Sequence, residues 1–308
     1  MNLKKPKFWD KESPNIYAYF LYPISLILQL VQFLRKFKKK KKVKIKTICV
    51  GNIYLGGTGK TSLSIKINQI LSEKKIKSCF VKKFYKSQTD EQKILQQHGE
   101  LFLSSNRLEA IKQAEERNYE VVILDDGLQD ETIEYEKCFV CFNSINWMGN
   151  KMTIPSGPLR ERVDNLKNYS DIFINGNLEN IDKLRNEIMK INPKANIHIG
   201  KYEILNLNEF EKNKKYLAFS GIGNHKTFIS MIKNYGFNIL KDIEFSDHYQ
   251  YREYDIKKIL DEAKKLNCKI ITTEKDYFRI KDINEKEIKF IKTNLKILDQ
   301  EKFIKSIL

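Results

Sequence analysis

A glycine-rich stretch near the start of the chain has the residue types and spacing of a phosphate-binding loop. An apolar, strand-like run at residues 48–50 leads into GNIYLGGTGKT, which ends at Lys60 and Thr61 and precedes an apolar helical pattern. Glycines let backbone N–H groups approach phosphate oxygens, and a helix N-terminus favours negative charge. Lys60 would then contact the β- and γ-phosphates, and the Thr61 hydroxyl would bind Mg²⁺. The stretch therefore predicts nucleotide binding rather than a plain strand-to-helix connection.

This loop departs from the common G-x-x-x-x-G-K-[ST] pattern at one position. Tyr54 stands where the first glycine is expected, so Gly56 and Gly57 would have to make the turn. We expect ATP to be bound by the whole run: Tyr54, Leu55, Gly56, Gly57, Thr58, Gly59, Lys60 and Thr61.

A second chemical signal is a pair of acids at the end of an apolar run. Residues 119–124 predict a buried parallel strand, and Asp125 and Asp126 follow it directly. In P-loop proteins such a carboxylate lies beside the Mg²⁺ of the phosphate loop. Two acids before a glycine could also form an ordinary turn. Because Lys60 and Thr61 occur in the same chain, we predict a magnesium site here.

Two loops offer further charged groups. The polar segment 82–91 follows a predicted strand, and ligands of open α/β sheets bind at that edge. The segment 154–162 contains Pro and Gly and ends in Arg160, Glu161 and Arg162, whose charges suit phosphate or metal. Arginine pairs with phosphate bidentately, so Arg107, Arg160 and Arg162 are candidates for a substrate phosphate. For Arg107 and Arg162, plain surface charge is an equally good interpretation.

The elements that must position these groups alternate between strand and helix along the whole chain, which predicts parallel α/β sheets. We expect a P-loop NTPase-like, mostly parallel sheet with helices on both faces, an N-terminal membrane-associated helix and a second, smaller α/β domain. The charge-rich run 206–215 would link the two domains. The expected boundaries are 1–42 for the membrane-associated helix and its basic flank, 43–205 for the P-loop domain and 206–308 for the smaller domain.

The positive charge is concentrated at the N-terminus. Of the formal net charge of +17, residues 1–46 carry +11, with thirteen Lys or Arg against Asp10 and Glu12. A nucleic-acid-binding protein would need this charge on its folded body, so we expect no nucleic-acid partner. A basic arm beside an apolar run indicates a membrane surface with anionic lipid.

Residues 13–34 contain no charged side chain, and the length of this stretch is near the ~20 residues that a spanning helix needs. Pro23, Gln29 and Gln32 make a poor span, and we favour a helix that lies in the bilayer interface. If the helix spans, the lysines after it would hold the body on the cytoplasmic side. Packing on the protein's own core is the remaining alternative. The five cysteines complete no zinc pattern, so we expect reduced thiols in a cytoplasmic protein.

Several short blocks occur in an order that resembles one known family, the tetraacyldisaccharide 4'-kinases. These blocks are Val50-Gly51-Asn52, the phosphate loop, Asp125-Asp126-Gly127-Leu128-Gln129, Pro155-Ser156-Gly157-Pro158-Leu159-Arg160-Glu161, Gly221-Ile222-Gly223-Asn224, Asp247-His248 and Thr273-Glu274-Lys275-Asp276. The resemblance implies an ATP- and Mg²⁺-dependent kinase of lipid A biosynthesis. Its acceptor would be the 4'-hydroxyl of an acylated glucosamine disaccharide 1-phosphate. We expect a monomer on the cytoplasmic face of the bacterial inner membrane.

The resemblance also implies roles for individual residues. Asp90 and His248 would act together as the base, with Lys60 as the third catalytic residue. Asp125, Asp126 and Glu161, with Thr61, would be the magnesium and active-site ligands. Lys82-Lys83-Phe84-Tyr85 stands where relatives usually have Ser-Arg-Gly-Tyr, and Asp130 replaces a common histidine.

A second function fits the loop less well. Membrane-associated P-loop ATPases of the positioning type also have Gly-Gly-x-Gly-Lys-Thr, but they carry a lysine where Leu55 stands. That lysine reaches a partner's nucleotide across a dimer. A nucleotide-dependent dimer with no lipid acceptor would identify this class.

Overall fold

The computed structural model describes residues 5–35, 37, 39–85, 89–176, 178–211, 213–280 and 287–308. These residues form two compact units. One runs up to Gly200 and includes Ile297–Leu308, and the other is Lys201–Lys296. The sequence instead placed the boundary after residue 205 and gave the whole C-terminus to the smaller domain. The last helix belongs to the first unit because Phe303 packs on Phe139 and Phe173 there.

The larger sheet has eight strands within the described residues. They are β1 (Lys46–Gly51), β2 (Ser78–Lys83), β3 (Leu101–Ser104), β4 (Val121–Asp125), β5 (Lys137–Asn143), β6 (Asp171–Asn175), β7 (Asn196–Ile204) and β12 (Thr293–Ile297). Their order is β12-β7-β6-β5-β1-β4-β2-β3, and every pairing from β7 to β3 is parallel. The sheet is therefore mostly parallel, as predicted.

Helices cover both faces of this sheet. They are α2 (Lys60–Glu73), α3 (Thr89–His98), α4 (Arg107–Glu116), α5 (Ile181–Ile191) and α9 (Gln300–Ile307), and the same unit contains the N-terminal helix α1 (Ile16–Arg35). In α4, Ala110 and Ala114 cluster with Cys79 of β2. In α2, Asn68 accepts a hydrogen bond from Ser78 of the same strand. Because neighbouring side chains of a strand point to opposite faces, α2 and α4 lie on opposite sides.

The second unit is a smaller α/β domain. Its strands are β8 (Lys215–Ser220), β9 (Asn238–Glu244), β10 (Lys269–Thr273) and β11 (Ile288–Ile291), and its helices are α6 (His225–Asn234), α7 (Glu253–Leu266) and α8 (Glu274–Ile280). The described strands form a parallel sheet in the order β11-β10-β8-β9. Leu217 and Phe219 of β8 are fully buried beneath Ile256 and Ile259 of α7.

Helix α1 is attached to the first unit by polar side chains, while most of its large apolar side chains stay exposed. Ser25 and Gln29 bond to Thr153, and Gln32 bonds to the backbone of Arg160. The stretch Ile16–Leu34 is apolar and long enough to cross a membrane, and 11% of it is buried. Packing of this stretch on the protein's own core is therefore wrong. In its basic flank, Lys36 and Lys38 lie outside the described residues.

Candidate active site

The phosphate loop connects the end of β1 to the start of α2 and turns through two glycines. Gly56 has a φ of 141° and Gly59 a φ of 81°, both in the region that disfavours L side chains. Gly59 is also the N-cap of α2, so the helix starts at Lys60. Gly56 makes the turn as expected, whereas Gly59 rather than Gly57 supplies the second positive φ.

Tyr54, which replaces the first glycine of the usual pattern, is buried rather than open to the loop. Its hydroxyl donates to Asp10 Oδ1 at 2.7 Å and also contacts the Lys5 ammonium. Burial and the Asp10 carboxylate raise the pKa of this hydroxyl well above its usual value, so it stays protonated. A Cβ at Gly56 would approach the Tyr54 ring to 3.2 Å. Because the Tyr54 ring leaves little room for a side chain at position 56, it adds a steric reason for the glycine there.

The segment 153–160 braces the loop from outside. The Leu55 N–H donates to the Pro158 carbonyl at 2.7 Å, and the Arg160 N–H donates to the Ile53 carbonyl at 2.6 Å. A side chain from β6 adds a third support, because Asn175 Nδ2 donates to the Thr58 carbonyl at 2.6 Å. The loop is therefore held in shape by hydrogen bonds from neighbouring segments.

The carboxylate of Asp125 lies beneath the first turn of α2. Its Oδ2 accepts from Thr61 Oγ1 at 3.4 Å, and its Oδ1 accepts from Ser64 Oγ at 3.3 Å. The Asp125 side chain is fully buried. This follows from the sheet, because β1 and β4 are neighbours and Val50 pairs with Asp125. A hydroxyl and a carboxylate are hard oxygen ligands, so Thr61 and Asp125 suit Mg²⁺.

Asp126 and Glu161 have other partners. Asp126 Oδ1 is 3.6 Å from Lys60 Nζ and 3.0 Å from an Arg160 nitrogen. Burial raises the pKa of Asp126, but Lys60 and Arg160 outweigh it and hold the pKa below its usual value. Glu161 Oε2 accepts from the Tyr169 hydroxyl and from Asn165 Nδ2, each at 3.1 Å.

The predicted metal set of Thr61, Asp125, Asp126 and Glu161 is thus not gathered into one carboxylate cluster. Among the described residues, no three His, Cys, Asp or Glu side chains lie close enough to hold a metal ion between them. The physical reason is charge pairing, because cations occupy Asp126 and neutral donors occupy Glu161. Thr61 and Asp125 are the part of the set that the fold brings into contact.

A cleft of about 670 Å³ adjoins the loop and has Asp126 in its wall. Arg107 and Arg160 both face it, and Arg107 is held by Asp130 Oδ2 at 3.0 Å. Arg162 is not part of its lining and pairs on the surface with Asp164 at 2.8 Å. The lining residues are Lys83, Tyr85, Ser105, Asn106, Arg107, Asp126, Gln129, Asp130, Glu131, Thr132 and Arg160.

The two residues expected to form the base lie in different units. Asp90 is half-buried in the first turn of α3, so it is helical rather than part of a loop. Of the predicted polar loop, residues 86–88 lie outside the described part of the chain. His248 has a φ of 57°, and its Nε2 is 3.8 Å from Asp247 Oδ1. The pairing of Asp90 with His248 stays a prediction.

Sequence reasoning missed a buried ion group at the loop. The sequence placed Lys82 in a polar loop, but β2 continues through Lys83, so Lys82 lies in the strand. Its ammonium is 2.6 Å from the Asp125 carboxylate and 2.7 Å from the Glu91 carboxylate. The sequence did contain a signal for a buried Lys82, because this residue directly follows an apolar run at the edge of the sheet where ligands bind.

The chain is similar to known proteins of one family, both in sequence and in fold. The family model described as tetraacyldisaccharide-1-P 4'-kinase matches residues 17–308. A tetraacyldisaccharide 4'-kinase of Pelagibacter ubique (strain HTCC1062) is 52% identical over 301 residues, covering 98% of this chain and 96% of that one. A tetraacyldisaccharide 4'-kinase of Rickettsia canadensis (strain McKiel) is 35% identical over 302 residues, covering 92% of this chain and 90% of that one. The fold matches that of apo-form LpxK from Aquifex aeolicus in complex with ATP, with a TM-score of 0.70, 22% identity and coverage of 95% and 98%.

Proposed function

The chain belongs to the tetraacyldisaccharide-1-P 4'-kinase family and is a kinase of lipid A biosynthesis, and we propose a role for each part of its site. ATP binds on the loop 54–61, and its γ-phosphate passes to the 4'-hydroxyl of a tetraacyl glucosamine disaccharide 1-phosphate. The observation that carries this assignment is the contact of Thr61 with Asp125 beneath the start of α2. It supports a nucleotide site at the carboxyl edge of the sheet.

The cationic groups around the loop suit phosphoryl transfer. Lys60 and Arg160 both approach Asp126, which holds their charges at the rim of the phosphate loop. Charge spreads over the γ-phosphoryl oxygens during transfer, and fixed cations stabilise that charge. Mg²⁺ held by Thr61 and Asp125 would neutralise phosphate charge in the same place. We assign Asp126 to orienting Lys60 and Arg160, and Glu161 to fixing the segment next to Arg160.

The cleft beside Asp126 suits the acceptor. It shares Asp126 and Arg160 with the surroundings of the loop, so an acceptor in it lies beside the phosphates. Arg107 is buried among protein groups, and a preorganised guanidinium binds phosphate bidentately. We therefore propose that Arg107 and Arg160 bind the 1-phosphate. Arg162 does not take part, because it is exposed and paired with Asp164.

A sugar hydroxyl is a weak nucleophile at neutral pH and needs a positioned base. We assign this role to Asp90 and His248, with the carboxylate orienting the imidazole that takes the proton from the 4'-hydroxyl. Asp90 lies in the first turn of α3, directly before Glu91, which reaches the Asp125 group through Lys82. This supports a position for Asp90 near the phosphates.

Helix α1 places the enzyme on its lipid substrate. Its polar side chains hold it along the body from Ser25 to Gln32, while Phe20, Ile27 and Leu30 remain exposed. If this helix spanned the bilayer, the polar loops that are hydrogen-bonded along it would have to enter the hydrocarbon core. We therefore propose that α1 lies in the interface on the cytoplasmic face of the inner membrane, with Lys39–Lys42 over anionic lipid. We expect the enzyme to act as a monomer.

The decisive experiment follows labelled phosphate. Purified protein is incubated with γ-labelled ATP and disaccharide lipid 1-phosphate, in parallel with the Lys60→Ala variant. Label is expected in the lipid with the wild-type protein and not with Lys60→Ala. Label released as inorganic phosphate by a nucleotide-dependent dimer, with none in the lipid, would instead support the positioning-ATPase alternative.

A further inference from the structure

The ammonium of Lys82 lies between two carboxylates at the phosphate loop. Its Nζ is 2.6 Å from Asp125 Oδ2 and 2.7 Å from Glu91 Oε2. We propose that Lys82 is a resident counter-ion of the metal-facing carboxylate, which stabilises the metal-free enzyme and sets how strongly the site attracts Mg²⁺. This proposal rests on the proposed metal site at Thr61 and Asp125.

The position of Lys82 is buried and specific. The Lys82 side chain is 2% exposed and the Asp125 side chain 0%. Both carboxylates lie within ion-pair distance of the Lys82 ammonium, so its buried charge is paired. A buried charge is tolerated when it is paired and hydrogen-bonded. Lys82 is therefore part of the site's charge balance and not a solvated surface lysine.

Lys82 and Thr61 donate to the same carboxylate oxygen. Asp125 Oδ2 accepts from Lys82 at 2.6 Å and from Thr61 at 3.4 Å, while Oδ1 accepts from Ser64 at 3.3 Å. These three donors hold the carboxylate against the first turn of α2. Lys82 is the charged donor among them, so it most strongly reduces the negative charge that a cation at Thr61 would meet.

The formal charges predict how the loss of Lys82 changes stability and the response to Mg²⁺. Asp125, Glu91 and Lys82 together carry −1, and without the lysine the two carboxylates carry −2. An uncompensated charge in a buried site destabilises the protein, and a divalent cation can replace the missing compensation. Loss of Lys82 should therefore destabilise the metal-free protein and strengthen its response to Mg²⁺.

The test is thermal unfolding of the full chain with and without millimolar Mg²⁺, in the absence of nucleotide and lipid. Lys82→Met is expected to lower the Tm by roughly 10 °C without Mg²⁺, because it removes the cation that the two carboxylates share. Mg²⁺ should restore at least half of that loss, and it should shift the wild-type Tm much less. Lys151→Met is the matched control, because it breaks the exposed Lys151–Glu187 pair and should show no added Mg²⁺ response.

A double variant separates charge balance from packing. Lys82→Met with Glu91→Gln restores the formal charge to −1 and should recover stability, while its Mg²⁺ shift stays larger than that of the wild type because Asp125 has lost its ammonium. If the single variant does not fold, this larger shift in the double variant is the supporting result. Equal Mg²⁺ shifts in variant and wild type, or a Lys82→Met protein as stable as the wild type, would overturn the proposal. Neither outcome depends on whether label reaches the lipid.

Discussion

The Gln32 side-chain amide donates a hydrogen bond of 2.8 Å to the backbone carbonyl of Arg160. Gln32 belongs to the apolar N-terminal helix, and Arg160 donates from its guanidinium to Asp126 and from its backbone N–H to Ile53. A residue that lines the cleft is thus bonded both to the apolar N-terminal helix and to the phosphate loop. This continuity leads to the first of five predictions.

Gln32→Leu should weaken ATP binding by roughly two- to fivefold, because the segment that braces the loop loses a hydrogen bond of about 1 kcal/mol. Titration with a fluorescent ATP analogue without lipid measures the effect. Gln113→Leu, the same change at an exposed position of α4, should leave ATP binding unchanged. Unchanged binding in Gln32→Leu would show that α1 does not support the loop.

Lys60→Ala should lower kcat/KM for phosphate transfer by about 100-fold or more, because a cation at the γ-phosphoryl group is lost. Steady-state label transfer into the lipid measures the effect. Lys66→Ala in the same helix is the control and should keep wild-type rates, since Lys66 lies beyond the first turn of α2. Transfer by Lys60→Ala within a few-fold of wild type would contradict the assigned role of the loop.

Arg107→Ala and Arg160→Ala should each raise KM for the 1-phosphate lipid by roughly 10- to 100-fold, the loss expected for a charged hydrogen bond. Arg162→Ala is the matched control and should stay within about twofold, because this side chain is exposed and pairs with Asp164. The comparison is repeated with an acceptor that lacks the 1-phosphate, on which all three variants should differ little. An equal loss on both acceptors would mean that these arginines do not bind the 1-phosphate.

Asp90→Asn and His248→Ala should each lower kcat by about 10²- to 10⁴-fold while ATP affinity stays unchanged, because a base acts on the reacting hydroxyl and not on the nucleotide. The double variant should be hardly slower than the worse single variant, since the two residues act as a unit. His98→Ala, at an exposed position of α3, is the control. Turnover of His248→Ala within a few-fold of wild type would remove His248 from the mechanism.

Replacing Phe20 and Ile27 by serine should reduce binding to anionic vesicles by about 100-fold or more, because each exposed side chain contributes about 1.5–3 kcal/mol on burial. Vesicle sedimentation measures the bound fraction. Binding of the wild type should also fall with salt, because Lys39–Lys42 contribute electrostatically. Serine at Leu240 and Tyr254, exposed apolar positions of the second unit, is the control and should not change binding.

The sequence predicted those parts of the fold whose characteristic residues are close together in the chain. The loop that ends at Lys60 and Thr61 and the apolar strand that ends at Asp125 each show their pattern within a dozen residues, so both could be placed in the sheet. The parallel order followed from the alternation of strand and helix. The domain boundary was less accessible, because Phe303 returns to the first unit through contacts with aromatic residues more than a hundred positions away.

By itself, the sequence determined a P-loop kinase of a recognisable family, its nucleotide loop and its apolar N-terminal helix, because local composition and spacing carry those features. Only the tertiary structure decided which charges meet. Asp125, Lys82 and Glu91 come from β4, β2 and α3, and their contact depends on the order of strands in the sheet. The local fold of the segment 161–169 pairs Glu161 with Tyr169 and Arg162 with Asp164, and spacing along the chain does not distinguish these pairings from metal or phosphate binding.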